Sequence, residues 1–297
     1  MRAIVFSRDR AMQLDALLRS LAAHCAEAGG LRVDVLFTAS SAGFARQYEE
    51  VERSWGGPLD LRLVQERDFR ADLLTIVDGP DERAGAVPSS HLLFLVDDAL
   101  FCRPFSLTCA LDALAERPRA LGFSLRLGAG VTFCYPLGAA QRVPPLEPLG
   151  RGVVAFDWTT AEGDFAYPLE ISSSVYERVR LARMLRGLDF REPNTLEAGL
   201  ASTVGAMWAR QAPELLCFER PVAFSAAVNR VQTVFANRVG TDPHLSVGEL
   251  ARRFAAGLRI DTSAFEGITP GACHCEVPFS FVPREEAASA REPRRPE

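Results

Sequence analysis

The sequence predicts an α/β protein whose central sheet is mostly parallel, is flanked by helices and becomes mixed in its C-terminal half. Strand-like and helix-like runs alternate through the first 100 residues with short connections, which is typical of parallel sheets covered by helices. Residues 92–96 are all apolar, as expected for a strand buried on both faces. Beyond residue 101 the strands are shorter and less regularly spaced, which indicates a mixed sheet.

In the first half, apolar and polar periodicity separates strands from helices. Leu14, Leu17, Leu18 and Leu21 repeat at three-to-four spacing and form one buried helix face, which Gly29-Gly30 closes. The predicted strands are 3–7, 31–40, 59–66 and 92–96, and the predicted helices are 12–28, 44–55 and 68–79. Because ligands bind beyond the carboxyl ends of parallel strands, residues 7–10, 38–41 and 97–98 are the tips of interest.

The second half contains more varied elements. We predict strands at 120–128, with a hairpin partner at 131–138, and at 153–158, 221–228 and 276–282. Helices are expected at 109–118, 172–188, 193–211 and 247–258, with Asn194 or Thr195 capping the third of these. Residues 1–283 are expected to form one domain. The tail 284–297 is charged and contains proline, and we expect it to be disordered.

Composition restricts the function. The 297 residues carry a net charge of −5, and all 33 basic residues are arginines, so a lysine-dependent Walker A site is excluded. The arginines are scattered, which disfavours nucleic-acid binding. No apolar run approaches the ~20 residues of a membrane span, and the N-terminus lacks a signal-peptide pattern, so we expect a cytoplasmic protein. The seven cysteines are expected to be reduced, and Cys273-His274-Cys275 alone is a weak zinc pattern.

Two polar groups follow predicted strands. Asp97-Asp98 ends a buried strand, where two adjacent carboxylates favour a divalent cation as compensating charge. Alternatively, one of them caps a turn and the other pairs with Arg103. The second group comprises Ser7, Arg8, Asp9 and Arg10, where arginines and helix amides suit an anion. Asp9 would bind a base or ribose there, or would simply cap the helix.

These residues carry a resemblance to a known family. FSRDRAMQLDALLRSL and LFLVDD resemble GT-A-type glycosyltransferases related to family 2, which are nucleotide-diphospho-sugar transferases. GDFAYPLEISSSVYERV, LDFREPNTLEAGL and GACHCEV extend the resemblance over most of residues 1–283. The resemblance implies a GT-A-like domain in which residues 1–100 bind the nucleotide and residues 101–283 shape the acceptor site. The implied nucleotide-binding residues are Phe6, Ser7, Arg8, Asp9, Arg10 and Asp97.

The resemblance also implies a metal ion, Mn²⁺ or Mg²⁺. The family holds it with a D-x-D-like motif, at which this sequence has Val96, Asp97 and Asp98. The first acidic position is missing, so Asp98 is the implied metal ligand. A late histidine often adds to the same metal in these enzymes, and His274 has the corresponding place. Its alternative is a histidine packed at the start of the last strand.

The candidates for chemistry lie in the second half. By resemblance Glu197 is the base that deprotonates the acceptor, and a helix N-terminus is expected to keep it ionised; its alternative is to stabilise the helix dipole. Glu170 is the second candidate base. Trp158 is a possible aromatic platform for a sugar, or a core residue. The candidates for hydrogen bonds to sugar, acceptor or diphosphate are Asp157, Asp164 and Arg230.

The sequence therefore predicts a hexosyltransferase-type glycosyltransferase that moves a sugar from a nucleotide-diphosphate donor to an unknown acceptor hydroxyl with inversion. Two alternatives are kept. One is a sugar-phosphate nucleotidyltransferase, although SRDRAMQ lacks the glycine-rich loop which that class needs. The other is a non-catalytic nucleotide-sugar-binding or scaffold protein on a degraded transferase fold.

Overall fold

A central sheet of nine strands organises the protein. The computed structural model describes residues 1–79, 89–235 and 237–284. In chain order the strands are β1 (Arg2–Arg8), β2 (Arg32–Thr38), β3 (Asp60–Gln65), β4 (His91–Val96), β5 (Ala99–Phe101), β6 (Ala120–Ser124), β7 (Phe133–Cys134), β8 (Ala139–Ala140), β9 (Glu147–Gly150), β10 (Val153–Asp157), β11 (Ser173–Glu177), β12 (Glu214–Phe218), β13 (Ala223–Ala226), β14 (Leu258–Ile260), β15 (His274–Cys275) and β16 (Phe281–Pro283).

Helices cover both sides of the sheet. In chain order they are α1 (Ala11–His24), α2 (Ala42–Ser54), α3 (Phe69–Asp78), α4 (Leu107–Glu116), α5 (Arg178–Arg186), α6 (Pro193–Thr203), α7 (Ala206–Gln211) and α8 (Val247–Ala255). Within the described ranges, no helix is long and apolar enough to cross a membrane.

The central sheet has the strand order β3-β2-β1-β4-β11-β6-β12-β10-β9. Strands β3, β2, β1 and β4 are parallel to one another, whereas β10 and β11 run against the other strands. A smaller sheet, β15-β13-β5, lies beside it. The predicted α/β class, with a mostly parallel sheet between helices and a mixed second half, is confirmed.

The two faces of the sheet form separate cores. In β1, Ala3 and Val5 join the cluster that packs against α1, α2, α4 and α8. Ile4 and Phe6 alternate with them and join the cluster on the other face, against α3, α5 and α6. This alternation follows from the two-residue period of a strand. Phe6 is aligned with Leu36 on β2 and Val96 on β4, so one row of apolar side chains crosses the carboxyl edge.

Four predicted elements are wrong. Of the strand expected at 276–282, only Phe281 and Val282 belong to a strand, β16. The helix expected at 172–188 begins only at Arg178, because Ser173–Glu177 form β11 between β4 and β6. That central, antiparallel pairing overrides the helical pattern of the following residues. The strand β7 pairs with β8 rather than with β6. The helix expected at 193–211 is divided at Val204-Gly205 into α6 and α7.

The remaining differences are local. Glu192, not Asn194 or Thr195, is the N-cap of α6, although Thr195 Oγ1 accepts a hydrogen bond from the Glu192 N–H at 3.1 Å. The tail predicted to be disordered lies outside the described residues except for Arg284. The Arg284 guanidinium stacks over the Phe254 ring, 4.0 Å from its centroid, and its backbone N–H donates to Gly257.

Candidate active site

A cleft of about 890 Å³ opens at the carboxyl ends of β1–β4. Its first wall is formed by the ends of these strands and by the Asp97-Asp98 turn. Its second wall comes from the β7–β8 turn, the segments 163–172 and 191–197, and the loop that follows β13. The cleft therefore lies at the edge where parallel α/β sheets bind ligands.

Asp97 and Asp98 share one cation on the first wall. Arg10 Nη1 donates to Asp97 Oδ1 at 2.9 Å and to Asp98 Oδ2 at 3.0 Å, and Arg10 Nη2 donates to the Asn229 carbonyl at 2.7 Å. Burial and the charge of Asp98 raise the pKa of Asp97 to about 6, although Arg10 and Ser7 oppose the shift. Asp97 is therefore mostly ionised at pH 7. Neither carboxylate pairs with Arg103, which donates to the Ile268 carbonyl.

A buried hydrogen-bond chain fixes the first turn of the cleft. Ser7 Oγ donates to Asp97 Oδ2 at 2.8 Å, and it lies 2.6 Å from the Tyr48 hydroxyl. Because Ser7 has one hydroxyl proton, Tyr48 donates to it. Tyr48 accepts in turn from the Arg10 N–H at 3.1 Å, and the Arg8 N–H donates to Asp97 at 3.2 Å. This chain holds Asp97 in place before any ligand binds.

Asp9 connects two turns and does not have either of its predicted roles, binding a base or ribose or capping the helix. It sits at φ 55°, a left-handed conformation that an aspartate tolerates better than most residues. Its Oδ1 accepts a hydrogen bond from the Ser40 N–H at 2.7 Å, so it braces the turn after β1 against the turn after β2. Asp9 is not among the residues that line the cleft. Nor does it cap α1, whose N-cap residue is Arg10.

Asp98 has the properties expected of a metal ligand. Its Oδ1 is buried and has no hydrogen-bond partner among the described residues, while Oδ2 is held by Arg10. The described chain contains no group of three or more His, Cys, Asp or Glu side chains that could hold a metal ion. Mg²⁺ commonly needs only one or two carboxylates when substrate phosphates complete its coordination. Asp98 therefore fits a cation that is shared with a diphosphate.

His274 does not fit the same role. Its Nε2 lies 3.2 Å from Arg126 Nη1. An arginine only donates, so Nε2 accepts and the neutral ring carries its proton on Nδ1. Burial and the charge of Arg126 lower the pKa of His274 to about 3. Neither nitrogen then offers a free lone pair to a metal ion, although His274 does line the cleft.

Glu170 is an anchor for Arg126. Arg126 Nη2 donates to its Oε2 at 2.9 Å, and the Ser173 N–H donates to both of its oxygens at 3.2 Å. The Ser172 N–H and the Ser174 hydroxyl also donate to it. Glu170 is buried and lies behind Arg126, away from the lining of the large cleft. Its oxygens are thus occupied, which leaves Glu197 as the better placed base.

Glu197 lines the second wall of the cleft from the second turn of α6. Its Oε1 accepts a hydrogen bond from the Ile171 N–H at 3.2 Å. Burial and the nearby Glu170 raise its pKa to about 7, against the effect of Arg126. The expectation that the helix N-terminus keeps Glu197 ionised is therefore wrong, because Glu197 lies in the second turn of α6, beyond the reach of the helix dipole, and burial and Glu170 raise its pKa. A carboxylate with a pKa near 7 suits general-base catalysis.

The predicted sugar contacts divide into two pairs. Asp164 and Arg230 line the cleft, and Asp164 accepts from Gln141 Nε2 at 3.2 Å. Burial raises the pKa of Asp164.

Trp158, in contrast, belongs to the core, with its Nε1–H bonded to the Ala212 carbonyl at 2.7 Å. Asp157 caps the turn that contains Trp158 by accepting from the Thr159 N–H at 2.9 Å. Neither is placed to bind a sugar.

The sequence analysis missed several residues of the site, among them Tyr48, Arg126 and Glu66. Tyr48 and Arg126 make the contacts described above, and Glu66 lines the cleft at the end of β3. For Glu66 a signal was present, because it is the last residue of the strand predicted at 59–66 and so lies at the carboxyl edge where ligands bind. For Tyr48 and Arg126 no local pattern distinguishes the residue from its neighbours.

Comparison with known proteins agrees with the class suggested by the sequence. Over 275 residues the chain is 25% identical to the bifunctional glycosyltransferase pgtA of Dictyostelium discoideum, a match that covers 84% of this chain and 34% of that protein. The chain thus spans about a third of the length of this relative. No family model matches the sequence. The resemblance to glycosyltransferases is confirmed by this relative, which is itself one.

Two solved structures show partial similarity to the chain. TarS from S. aureus superimposes with a TM-score of 0.46 at 12% identity, over 75% of this chain and 36% of that one. The mannosyltransferase PcManGT from Pyrobaculum calidifontis, solved in complex with GDP-Man and Mn²⁺, gives 0.41 at 15% identity, over 74% and 56%. Both similarities are weak.

Proposed function

We propose that the protein transfers a sugar from a nucleotide-diphosphate donor to an acceptor hydroxyl. One observation carries the proposal: the two walls of a single cleft hold carboxylates with different partners, an ion-paired couple on one wall and a carboxylate with a raised pKa on the other. On the first wall Asp97 and Asp98 share Arg10, and on the second wall Glu197 has a pKa of about 7. An inverting transferase needs both, a charged group beside the diphosphate and a base beside the acceptor.

The reaction is a single displacement. Glu197 accepts the proton of the acceptor hydroxyl while that oxygen attacks the anomeric carbon of the donor sugar. The bond from that carbon to the diphosphate oxygen breaks, and the nucleoside diphosphate leaves with the bonding electron pair. Attack from the face opposite the leaving group inverts the anomeric carbon. Glu197 releases its proton to solvent afterwards and is ionised again for the next turnover.

The first wall binds and orients the donor. The Arg10 guanidinium is fixed by two carboxylates and the Asn229 carbonyl, so it can hold its position beside an anionic group without further ordering. Asp98 would hold a divalent cation through its free Oδ1. When bound, that cation would neutralise charge on the departing diphosphate. Arg8 and Arg230 both line the cleft and supply additional positive charge.

Release of nucleoside diphosphate tests the proposal. The purified chain is incubated with UDP-, GDP- and dTDP-sugars, with Mn²⁺ or with EDTA, and water serves as the acceptor in the absence of the natural one. We expect one nucleotide class to be released, and faster with Mn²⁺. Glu197→Gln should lose at least ~100-fold of that rate and still bind the nucleotide. Glu219→Gln, the same change at an exposed position, is the matched control.

Two results would overturn the proposal. One is that no donor releases its nucleotide and no nucleoside diphosphate raises the melting temperature with or without Mn²⁺. The other is a release rate that Glu197→Gln leaves at the wild-type level. Binding without any release, even with a broad set of sugar acceptors, would instead support a non-catalytic nucleotide-sugar-binding protein.

A further inference from the structure

The far end of the cleft forms a slot at the carboxyl ends of β1, β2 and β3, with the Glu66 carboxylate at its edge. In the parallel register Arg8 on β1 lies beside Thr38 on β2, and the Glu66 N–H that follows β3 donates to Phe37 at 2.8 Å. Arg8, Thr38 and Glu66 therefore form a row along the rim of the cleft, and all three line it. Beneath this row Phe6 and Leu36, aligned in the same register, provide an apolar floor.

The distance between this slot and Asp97-Asp98 fits a nucleotide whose base occupies the slot. Glu66 follows β3 and Asp98 follows β4, and the strand order places β2 and β1 between them. Three strand spacings separate the two residues, roughly 14 Å. That is the length scale of a nucleoside diphosphate lying along the sheet edge, with its phosphates at Asp98 and its base at Glu66. The apolar floor suits the face of the base, and the polar rim suits its edge.

Glu66 presents an acceptor to that edge. The Thr38 hydroxyl donates to Glu66 Oε2 at 2.8 Å, which fixes the orientation of the carboxylate. Oε1 has no hydrogen-bond partner in the parts of the chain that the structure describes. Glu66 is half-buried, and this burial raises its pKa although the Thr38 hydroxyl and the nearby positive charge of Arg8 oppose the shift. A carboxylate held this way, with one oxygen free of protein donors, can accept hydrogen bonds from a ligand.

We propose that Glu66 selects guanine, so that the donor is a guanosine-diphosphate sugar. The proposal rests on the nucleotide-sugar function proposed above. Guanine presents two adjacent donors, N1–H and the N2 amino group, which a carboxylate accepts together as charge-assisted hydrogen bonds. Uracil and thymine present one donor, N3–H, flanked by two carbonyl oxygens. Against these bases the second carboxylate oxygen would face an acceptor, which is unfavourable.

Binding of nucleoside diphosphates to the full-length chain tests this directly. By calorimetry in Mn²⁺ buffer, we expect GDP to bind about 10- to 100-fold more tightly than UDP or dTDP, the range for a lost or added hydrogen bond to a charged group. IDP isolates the contact, because it differs from GDP only by the missing N2 amino group. We expect IDP to bind about 10-fold more weakly than GDP.

The variant Glu66→Gln separates base recognition from loss of structure. An amide offers one donor and one acceptor, which match uracil N3–H and O4 but not the two donors of guanine. We therefore expect Glu66→Gln to lose affinity for GDP, to bind GDP and IDP equally, and to gain affinity for UDP. A general loss of folding would lower all affinities together. Thr38→Val, which frees the carboxylate, is a second variant that should reduce the preference for GDP over IDP.

The control is Glu52→Gln, an exposed position on α2 that should leave every affinity unchanged. If wild-type protein binds UDP or dTDP more tightly than GDP, or if IDP binds as tightly as GDP, the assignment of guanine to Glu66 is wrong while the nucleotide-sugar function stands. If no nucleoside diphosphate binds, the proposed function fails, and this inference fails with it.

Discussion

Removing the charge of Glu197 should stabilise the folded protein at alkaline pH. Burial and Glu170 raise the pKa of Glu197 from 4.5 to about 7. The folded state therefore holds this proton more tightly than the unfolded state, and stability falls as the pH rises through this window. At about 1.4 kcal/mol for each pKa unit the full effect would be ~3 kcal/mol, and contact with the open cleft reduces it to ~1–2 kcal/mol.

Thermal melting measures this effect without any substrate. In Glu197→Gln the amide keeps an acceptor for the Ile171 N–H and removes the titrating group. We expect equal melting temperatures at pH 4.5, and a melting temperature a few degrees above wild type at pH 8. Glu219→Gln should show no such pH-dependent difference. Two results would refute a raised pKa at this position. One is a Glu197→Gln protein that melts below wild type at pH 8, and the other is a difference in melting temperature from wild type that is the same at every pH.

Four further outcomes follow from the same contacts. The rate of nucleotide release should rise roughly tenfold between pH 6 and pH 8, as Glu197 ionises with a pKa of about 7, and a flat profile would contradict its role as base. Asp98→Asn should fold normally but abolish the effect of Mn²⁺ on nucleotide affinity, measured by calorimetry. Trp158→Ala should lose about 3–5 kcal/mol in urea unfolding while nucleotide affinity is unchanged, because Trp158 is a core residue. Tyr48→Phe removes the hydroxyl between Ser7 and Arg10, and it should cost about 1–3 kcal/mol in the same assay.

Most of the fold could be predicted because its first half follows local rules. The strands β1 to β4 are short apolar runs that alternate with helices of clear periodicity, and each was found within a few residues of its observed bounds. The misassigned element, β11, has serines at its start and a helix directly after it. The Ser173 N–H and the Ser174 hydroxyl of this strand donate to Glu170, and its strand neighbours lie 49 or more residues away along the chain. Such pairing cannot be seen in a local window.

The same distinction between local patterns and distant contacts applies to the residues of the site. Ser7, Arg10, Asp97 and Asp98 were found because polar residues that directly follow apolar strands form a local pattern. Arg126 acquires its role only from Glu170, 44 residues away, and from His274, 148 residues away. The sequence left two roles open for Trp158, a platform for a sugar and a core residue, and the structure shows the second. Its sequence neighbours are polar, but its indole is enclosed by residues distant along the chain.

Two carboxylates of the cleft, Asp97 and Glu197, have different roles because their surroundings differ. Asp97 is fully buried, yet Arg10, Ser7 and the Arg8 N–H all donate to it, and these donors limit the rise of its pKa to about 6. Glu197 has one amide donor and an acidic neighbour, so its pKa reaches about 7. Near neutral pH the first group therefore remains an anion that orients Arg10, while the second can both accept and release a proton.

Because Arg126 is paired with Glu170, its charge is only partly available to Glu197. Releasing Arg126 with Glu170→Gln should thus lower the pKa of Glu197 and shift the pH–rate profile to lower pH, whereas an unchanged profile would show that Glu170 does not set that pKa.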